Sequence, residues 1–220
     1  MKRTGADRPR TDTRQRVLEA AGEVFAERGF RAATVREICQ RAKANLAAVN
    51  YHFGDKERLY EAVLQYTFCR AVESFPLDLG LGAEATAAER LRAFIRSHLF
   101  SVLDEGRPAW HGKLRAREMA EPTGALDAVV DQMIRPEAEL LMSIVREVLG
   151  HDAAPQRVWR CSASIIGQCL FYHHARPVIM RLNREQTYTP EAIEALVDHI
   201  TQFSLAGLRP FARAPQGEAR

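Results

Sequence analysis

No C-x-x-C pair occurs among the four cysteines, Cys39, Cys69, Cys161 and Cys169. A zinc ribbon therefore has no ligand pairs to build on, and a disulfide framework is unsupported; reduced, mostly buried thiols are expected. No apolar run approaches the roughly 20 residues that a membrane-spanning helix needs. The opening MKRTGADRPRTDTR has no apolar core, so no secretory signal is expected, and the reading is a soluble, cytoplasmic protein. No segment alternates with period two, and there is no repeat or low-complexity tract. Also missing are a nucleophile elbow, a P-loop, an H-E-x-x-H helix and a dinucleotide fingerprint. No cofactor is implied. An enzyme is the weaker second class, and an apolar-ligand binder or an architectural DNA binder the third.

What is present is a chain of 220 residues, 46% hydrophobic, with a net charge of only +3. The distribution of that charge is more telling. Residues 1–58 hold thirteen Lys/Arg against eight Asp/Glu, whereas the remainder holds eighteen against twenty. A basic front joined to a near-neutral back points to an anionic partner for the front alone.

Every long segment reads with helical period. In 13–28, Val17, Ala21, Val24 and Phe25 share one face, and Gly29 is a natural stop. Thr34 and Glu37 have the spacing of a capping box, so a second helix starts at Thr34. Lys43-Ala44-Asn45 supplies a tight turn, Asn45 caps a short third helix, and Gly54 ends it. Asp55 caps a fourth helix running to Ser74. Further helices are expected near 86–104, 108–120 and 124–149. An apolar segment at 155–176 is interrupted at Pro177, and a last helix spans 190–207. Only 1–11 and 209–220 read as disordered. The fold class is all-α: a three-helix front, taken as 1–60, then a larger helical bundle, 61–220.

Two short helices joined by a tight turn, the second with small and polar residues outward, describe a helix-turn-helix, whose second helix enters the DNA major groove. Ala47 and Ala48 permit close approach to base edges, and Asn50 suits a bidentate contact to adenine. Tyr51, His52 and Lys56 can reach phosphates, and Arg3, Arg8, Arg10 and Arg14 form a basic arm. The competing reading of the string NYHF is a packed corner with Tyr51 and Phe53 in the core.

The continuous stretch RQRVLEAAGEVFAERGFRAATVREICQRAKANLAAVNYHFGDKERLYEAVL resembles the DNA-binding domain of the TetR family of bacterial repressors. It follows the family's order of helix, Gly-aromatic stop, Thr-capped helix, turn, and aromatic-His-Phe string leading to Lys-Glu. The resemblance implies a homodimer reading a palindromic operator, and a C-terminal domain that binds an inducer. By position, Thr34, Asn45, Tyr51, His52 and Lys56 resemble backbone contacts, while Leu46, Ala47, Ala48 and Asn50 occupy base-facing places. The family commonly has an aromatic where this chain has Asn50, and Gly or Lys around 46–47, so no operator sequence carries over. KLRAREMAEPTGALDAVV and SIIGQCLFYHHARPVIMRL resemble a subgroup with a CecR-like C-terminal domain, whose members tend to govern transport or drug-tolerance genes.

In the back half, Trp110, His111, Arg115, Met119, Met133, Ile165, Cys169 and Tyr172 are candidates for an apolar or aromatic inducer site, with Glu118 beside them as an orienting charge. The alternative is that they pack against one another. Cys161, Cys169, His173 and His174 raise a metal reading, but i, i+4 spacing places only two ligands on one face and a zinc site needs three or four. Ile166, Leu170, Ile193, Leu196, Val197 and Ile200 are expected to form the dimer interface, being more apolar surface than one bundle face needs.

Overall fold

The computed structural model describes residues 8–74, 76, 77, 79–82, 84–103 and 108–212, without the side chains of 8–12 and 69–74. Its helices are α1 (Arg8–Ala32), α2 (Val35–Ala42), α3 (Leu46–Phe53), α4 (Lys56–Ser74), α5 (Ala87–Leu103) and α6 (Ala109–Ala120). There follow α7 (Ala125–Val129), a π-helical turn (Val130–Ile134), α8 (Arg135–Leu149), α9 (Pro155–His174), α10 (Arg176–Leu182), α11 (Pro190–Leu208) and a 3-10 turn (Arg209–Phe211). No strand occurs among the described residues, so the chain is all-α as expected.

Two compact units form: Met1–Arg70 with Glu105–Ile134, and Ala71–Asp104 with Arg135–Arg220. The division at 60/61 drawn from the sequence is one of roles; the compact units cut the chain elsewhere, because α6, α7 and the π turn pack with the front helices. In the first unit Val17, Val24, Phe25, Ile38, Val49, Phe53, Leu59, Tyr60, Val63 and Leu114 share one core. The local signals that start and stop its helices are made as the sequence implies. Thr34 Oγ1 accepts the Glu37 N–H at 3.2 Å while the Glu37 carboxylate accepts the Thr34 N–H at 3.2 Å, which seats the first turn of α2. Asn45 Oδ1 accepts the Ala48 N–H at 2.8 Å at the start of α3. Gly29 interrupts α1 at φ 79°, a conformation that strains any other residue, and a Cβ there would meet the Arg117 guanidinium at 3.1 Å.

In the second unit α5 packs on α8, α9 and α11, and α8 on α9. Leu91, Phe94, Ile95, Leu99, Leu141, Ile144, Val145, Val158, Ile165, Ile193, Val197 and Ile200 make its core. Thr86 and Glu89 repeat the capping box at the head of α5.

The structure departs from the sequence reading at four places. The helix expected over 124–149 is broken by the π turn at Val130–Ile134. Pro136 follows it; proline has no N–H for the α ladder and its ring clashes with the carbonyl four residues back, and a wider turn ahead of it relieves that clash. The segment 155–176 ends at His174, and Pro177 sits in the first turn of the separate α10, where a missing N–H costs nothing. α1 begins at Arg8, inside the stretch taken as a disordered arm, and the 3-10 turn Arg209–Phe211 continues α11 into the start of the tail read as disordered, because the Ala212 N–H bonds back to the Leu208 and Arg209 carbonyls. Residues 1–7 with Arg3, the side chains of Arg8, Arg10 and Cys69, and 213–220 lie outside the described residues.

Candidate nucleic-acid interface

α3 is held by its inner face. Val49 and Phe53 are buried in the core of the first unit, so the residues between and before them must turn outward. Asn45, Leu46, Ala47, Asn50 and Tyr51 are exposed, and Ala48 and His52 half-buried. Leu46 at 56% exposure and Tyr51 at 68% are large apolar side chains that folding left in water. An aromatic ladder orients the far end of the helix. The Tyr51 ring stands edge-on to His52 at 5.1 Å, and His52 edge-on to Phe53 at 6.2 Å. The exposed Arg14 of α1 lies with its guanidinium 5.3 Å over the Phe53 ring, which places one basic side chain beside the same end of α3. The packed-corner reading was thus right for Phe53 and wrong for Tyr51.

Lys56 departs from expectation. Its ammonium donates to the carbonyl oxygens of Ala33 at 2.9 Å and Arg31 at 3.4 Å, and lies 4.7 Å over the Phe30 ring. It secures α4 to the end of α1 instead of standing out toward a phosphate, because the carbonyls that end α1 lack helical partners and attract a cation. Arg41 is also engaged. It makes two parallel hydrogen bonds of 2.8 Å to Glu27 on α1 and reaches Glu23, and its donation holds the Glu27 carboxyl below the usual carboxylate range. Arg28 pairs with Glu37 at 3.0 Å.

The attitude of α1 and α4 is set by α6, which sequence reasoning did not anticipate. The six-membered ring of Trp110 abuts Gly22 of α1: a Cβ on Gly22 would fall 2.2 Å from a ring carbon. Tyr66 lies nearly parallel to the Trp110 ring at 6.4 Å and 16°, and His111 stands edge-on to it at 4.0 Å. Glu118, 1% exposed, accepts the Tyr60 hydroxyl of α4 at 2.7 Å and both the N–H and the hydroxyl of Thr123 at 2.8 and 2.9 Å. Burial first, and then the Glu118 carboxylate, holds the Tyr60 phenol well above its ordinary value. Arg117 reaches the Glu27 carbonyl at 3.4 Å, beside Gly29. Only the glycine at 22, set between Ala21 and Val24 of the apolar face, hinted at any of this.

The eight side chains expected to line an inducer cavity do not meet within either unit. Trp110, His111, Arg115, Met119 and Met133 belong to the first. There Trp110 is taken up by Gly22, the Arg115 guanidinium stands 5.5 Å over Phe68, Met119 is 45% exposed and Met133 lies in the π turn. Ile165, Cys169 and Tyr172 belong to the second, where Ile165 and Cys169 are core residues. Burial pushes the Cys169 thiol up to about 12, so it stays an inert thiol. Among the described residues no three or more His, Cys, Asp or Glu side chains are grouped to hold a metal ion, and no helix is long and apolar enough to cross a membrane.

The dimer residues also divide. Ile193, Val197 and Ile200 point into the second unit's own core, and Ile166 and Leu196 are partly buried against it. The first three are therefore corrected: α5 uses them, and they are not a surplus apolar face. The apolar side chains that α9 and α11 leave in water are Trp159 at 54%, Phe171 at 57% and Phe203 at 63% exposure. Between the same two helices an open groove of about 470 Å³ is lined by Ser164, Gly167, Gln168, Phe171, Tyr172, His199 and Ile200.

Comparison with known proteins places both halves. Residues 17–63 match the model for bacterial regulatory proteins of the TetR family. Residues 87–208 match the C-terminal domain of the HTH-type transcriptional dual regulator CecR. The chain is 28% identical to the dual regulator CecR of Shigella flexneri over 86% of this chain and 87% of that one. It is 27% identical to the repressor NicS of Pseudomonas putida over 94% and 98%. With the repressor Rv3405c of Mycobacterium tuberculosis it shares 33% identity over 72% and 83%. Among solved structures, AibR in complex with isovaleryl coenzyme A and operator DNA superposes with a TM-score of 0.63 at 19% identity, over 87% of this chain and 97% of AibR. A TetR-family regulatory protein from Rhodococcus RHA1 reaches 0.65 at 18% identity, over 92% and 98%. A helix-turn-helix with an unburied outer face, joined to a domain of the CecR type, is a transcriptional regulator and not an enzyme: the chain belongs to the TetR family.

Proposed function

We propose that this protein is a ligand-responsive repressor that acts in the cytoplasm as a homodimer on a palindromic operator and is released by a small, largely apolar or aromatic inducer. The observation that carries the reading is the outer face of α3, where Leu46, Ala47, Asn50 and Tyr51 are exposed beside the Asn45 cap. In this reading residues 1–60 bind DNA, and 61–220 dimerise and bind the inducer. Asn50 pairs with a base edge, Leu46, Ala47 and Ala48 sit against the groove floor, and Arg14, Thr34, Asn45, Tyr51 and His52 face the phosphates. Lys56 acts indirectly, by fixing α4 on α1.

The partly buried Ile166, Leu170 and Leu196, together with the exposed Trp159, Phe171 and Phe203, supply the dimer face of α9 and α11. The inducer belongs with the near-neutral, apolar back half, whose chemistry suits hydrophobic drugs and aromatic metabolites; the isovaleryl coenzyme A bound by AibR is a far more polar, phosphate-bearing ligand. Release requires the inducer to bind the DNA-incompetent state more tightly than the competent one. Resemblance to the CecR type favours efflux, transport or drug-tolerance genes as targets.

The test starts by selecting bound duplexes from a random pool, which should yield an inverted repeat. Asn50→Ala should weaken binding to that operator by roughly 1–3 kcal/mol and leave binding to random DNA nearly unchanged. Equal losses on both would remove Asn50 as a base reader. Hydrophobic drugs and aromatic metabolites should then include compounds that raise the Tm of the free protein and release the operator together. Compounds that raise Tm without any that alters operator binding would show a cavity but no inducible repressor.

A further inference from the structure

Lys43 closes α2 in a conformation that suits it badly. Its φ of 51° and ψ of 44° are left-handed, one of two such non-glycine residues among those described. The turn depends on that conformation. The Lys43 N–H bonds back to the Gln40 carbonyl at 3.3 Å and the Ala44 N–H to the Cys39 carbonyl at 3.0 Å, the double closure that ends a helix and that glycine accommodates without steric cost. A lysine here crowds its own Cβ and gains no compensating contact: its side chain is exposed and makes no ion pair or hydrogen bond with any described residue. The neighbouring cation on the same helix, Arg41, is bound by Glu27 and Glu23. Lys43 stands two residues before Asn45, the cap of the recognition helix. A side chain on the turn ahead of that helix faces the groove wall, where the phosphates are, and not the groove floor.

We infer that Lys43 is a phosphate-contacting residue of this repressor, retained at the left-handed cap of α2 for its charge and at the expense of the fold. The inference rests on the proposed DNA-reading role of α3 and adds a contact that neither the sequence motif nor the capping pattern named. It makes an unusual demand: removing the side chain must stabilise the protein and weaken its DNA binding at once.

The experiment compares Lys43→Gly, Lys43→Asn and Lys43→Arg with the wild-type chain, measuring Tm and the dependence of operator and random-duplex affinity on NaCl concentration. Wild-type binding to the selected operator establishes the DNA-reading role independently of the variants. Lys43→Gly should raise Tm by about 2 °C, because the strain is relieved. It should weaken binding to operator and random duplexes alike, by about tenfold in low salt, and reduce the log–log salt slope by about 0.9 per bound protomer. Lys43→Asn, which tolerates the left-handed region without a charge, should lose the same affinity, whereas Lys43→Arg should keep it. Wild-type affinity and slope in the glycine and asparagine variants would overturn the inference. So would a loss confined to glycine, which would trace to turn flexibility, or a loss as large in arginine as in glycine.

Discussion

The two units hold their helices together by different means. In the first, helices far apart in sequence are joined by directional contacts. Tyr60 donates to Glu118, Lys56 donates to the carbonyls of Arg31 at the end of α1 and of Ala33 just after it, and Trp110 abuts Gly22. In the second, α5 meets α11 across an apolar seam, and the charged contacts stay at its edge. Arg92 pairs with Glu194 and Asp198 at 3.2 and 2.8 Å and Arg96 with Glu194 at 2.5 Å, all with side chains about a third exposed or more. A buried hydrogen bond or a ring seated on a glycine admits one geometry and fails when displaced slightly. An apolar seam edged by solvated ion pairs tolerates sliding and repacking. The unit that carries the recognition helix is thus the one whose geometry is more narrowly specified.

The largest expected effect tests the seam itself. Val197, with 0% exposure on α11, sits inside it, and Val197→Glu should cost more than about 4 kcal/mol by burying an unpaired carboxylate. Calorimetry should show the second unit's transition lost. On the same helix Phe203→Glu should leave the isolated protomer's own stability within about 0.5 kcal/mol, since the ring is 63% exposed, while shifting sedimentation from dimer to monomer. A dimeric, folded Phe203→Glu protein would move the interface elsewhere.

In the first unit, Tyr60→Phe keeps the ring in its place against Phe25 and Phe30 but leaves one Glu118 oxygen without its donor. A loss of about 1–3 kcal/mol in urea denaturation is expected. The phenol also gives a pH signature. Its folded value lies above the ordinary 10.0, so its contribution is complete below pH 10 and should fade as pH rises above it. Tyr60→Phe should flatten that alkaline decline; an unchanged decline would assign it to other groups.

Gly22→Ala should cost about 1–2 kcal/mol, since a Cβ at 2.2 Å from the Trp110 ring forces α6 or the ring to move. Trp110→Leu on the same background should recover part of the loss; if the double variant is as unstable as the sum of the singles, the two do not act through one contact. The smallest effect belongs to the seam's edge. Arg92→Ala should change stability by less than about 1 kcal/mol, and less again at 1 M NaCl. A loss matching Tyr60→Phe would erase the contrast between the units.

The sequence by itself determined where α2 and α3 start and where α3 stops. Thr34 with Glu37, Asn45 with Ala48, and the glycines at 29 and 54 each find their partners within a few residues, so their structural effect is local and legible. The outward residues of α3 followed from the same locality, because Val49 and Phe53 share one helix face. Only the tertiary structure decided what each remaining side chain faces. Helical period marks Ile193, Val197 and Ile200 as one apolar stripe, but it cannot say whether α5 or a second chain covers it. Lys56 reads as an exposed cation until the end of α1, 23 residues earlier, offers it carbonyls. Tyr60 and Glu118 lie 58 residues apart, and no periodicity links them. The π turn before Pro136 and the left-handed Lys43 are backbone answers to crowding, visible only once the chain has folded around them.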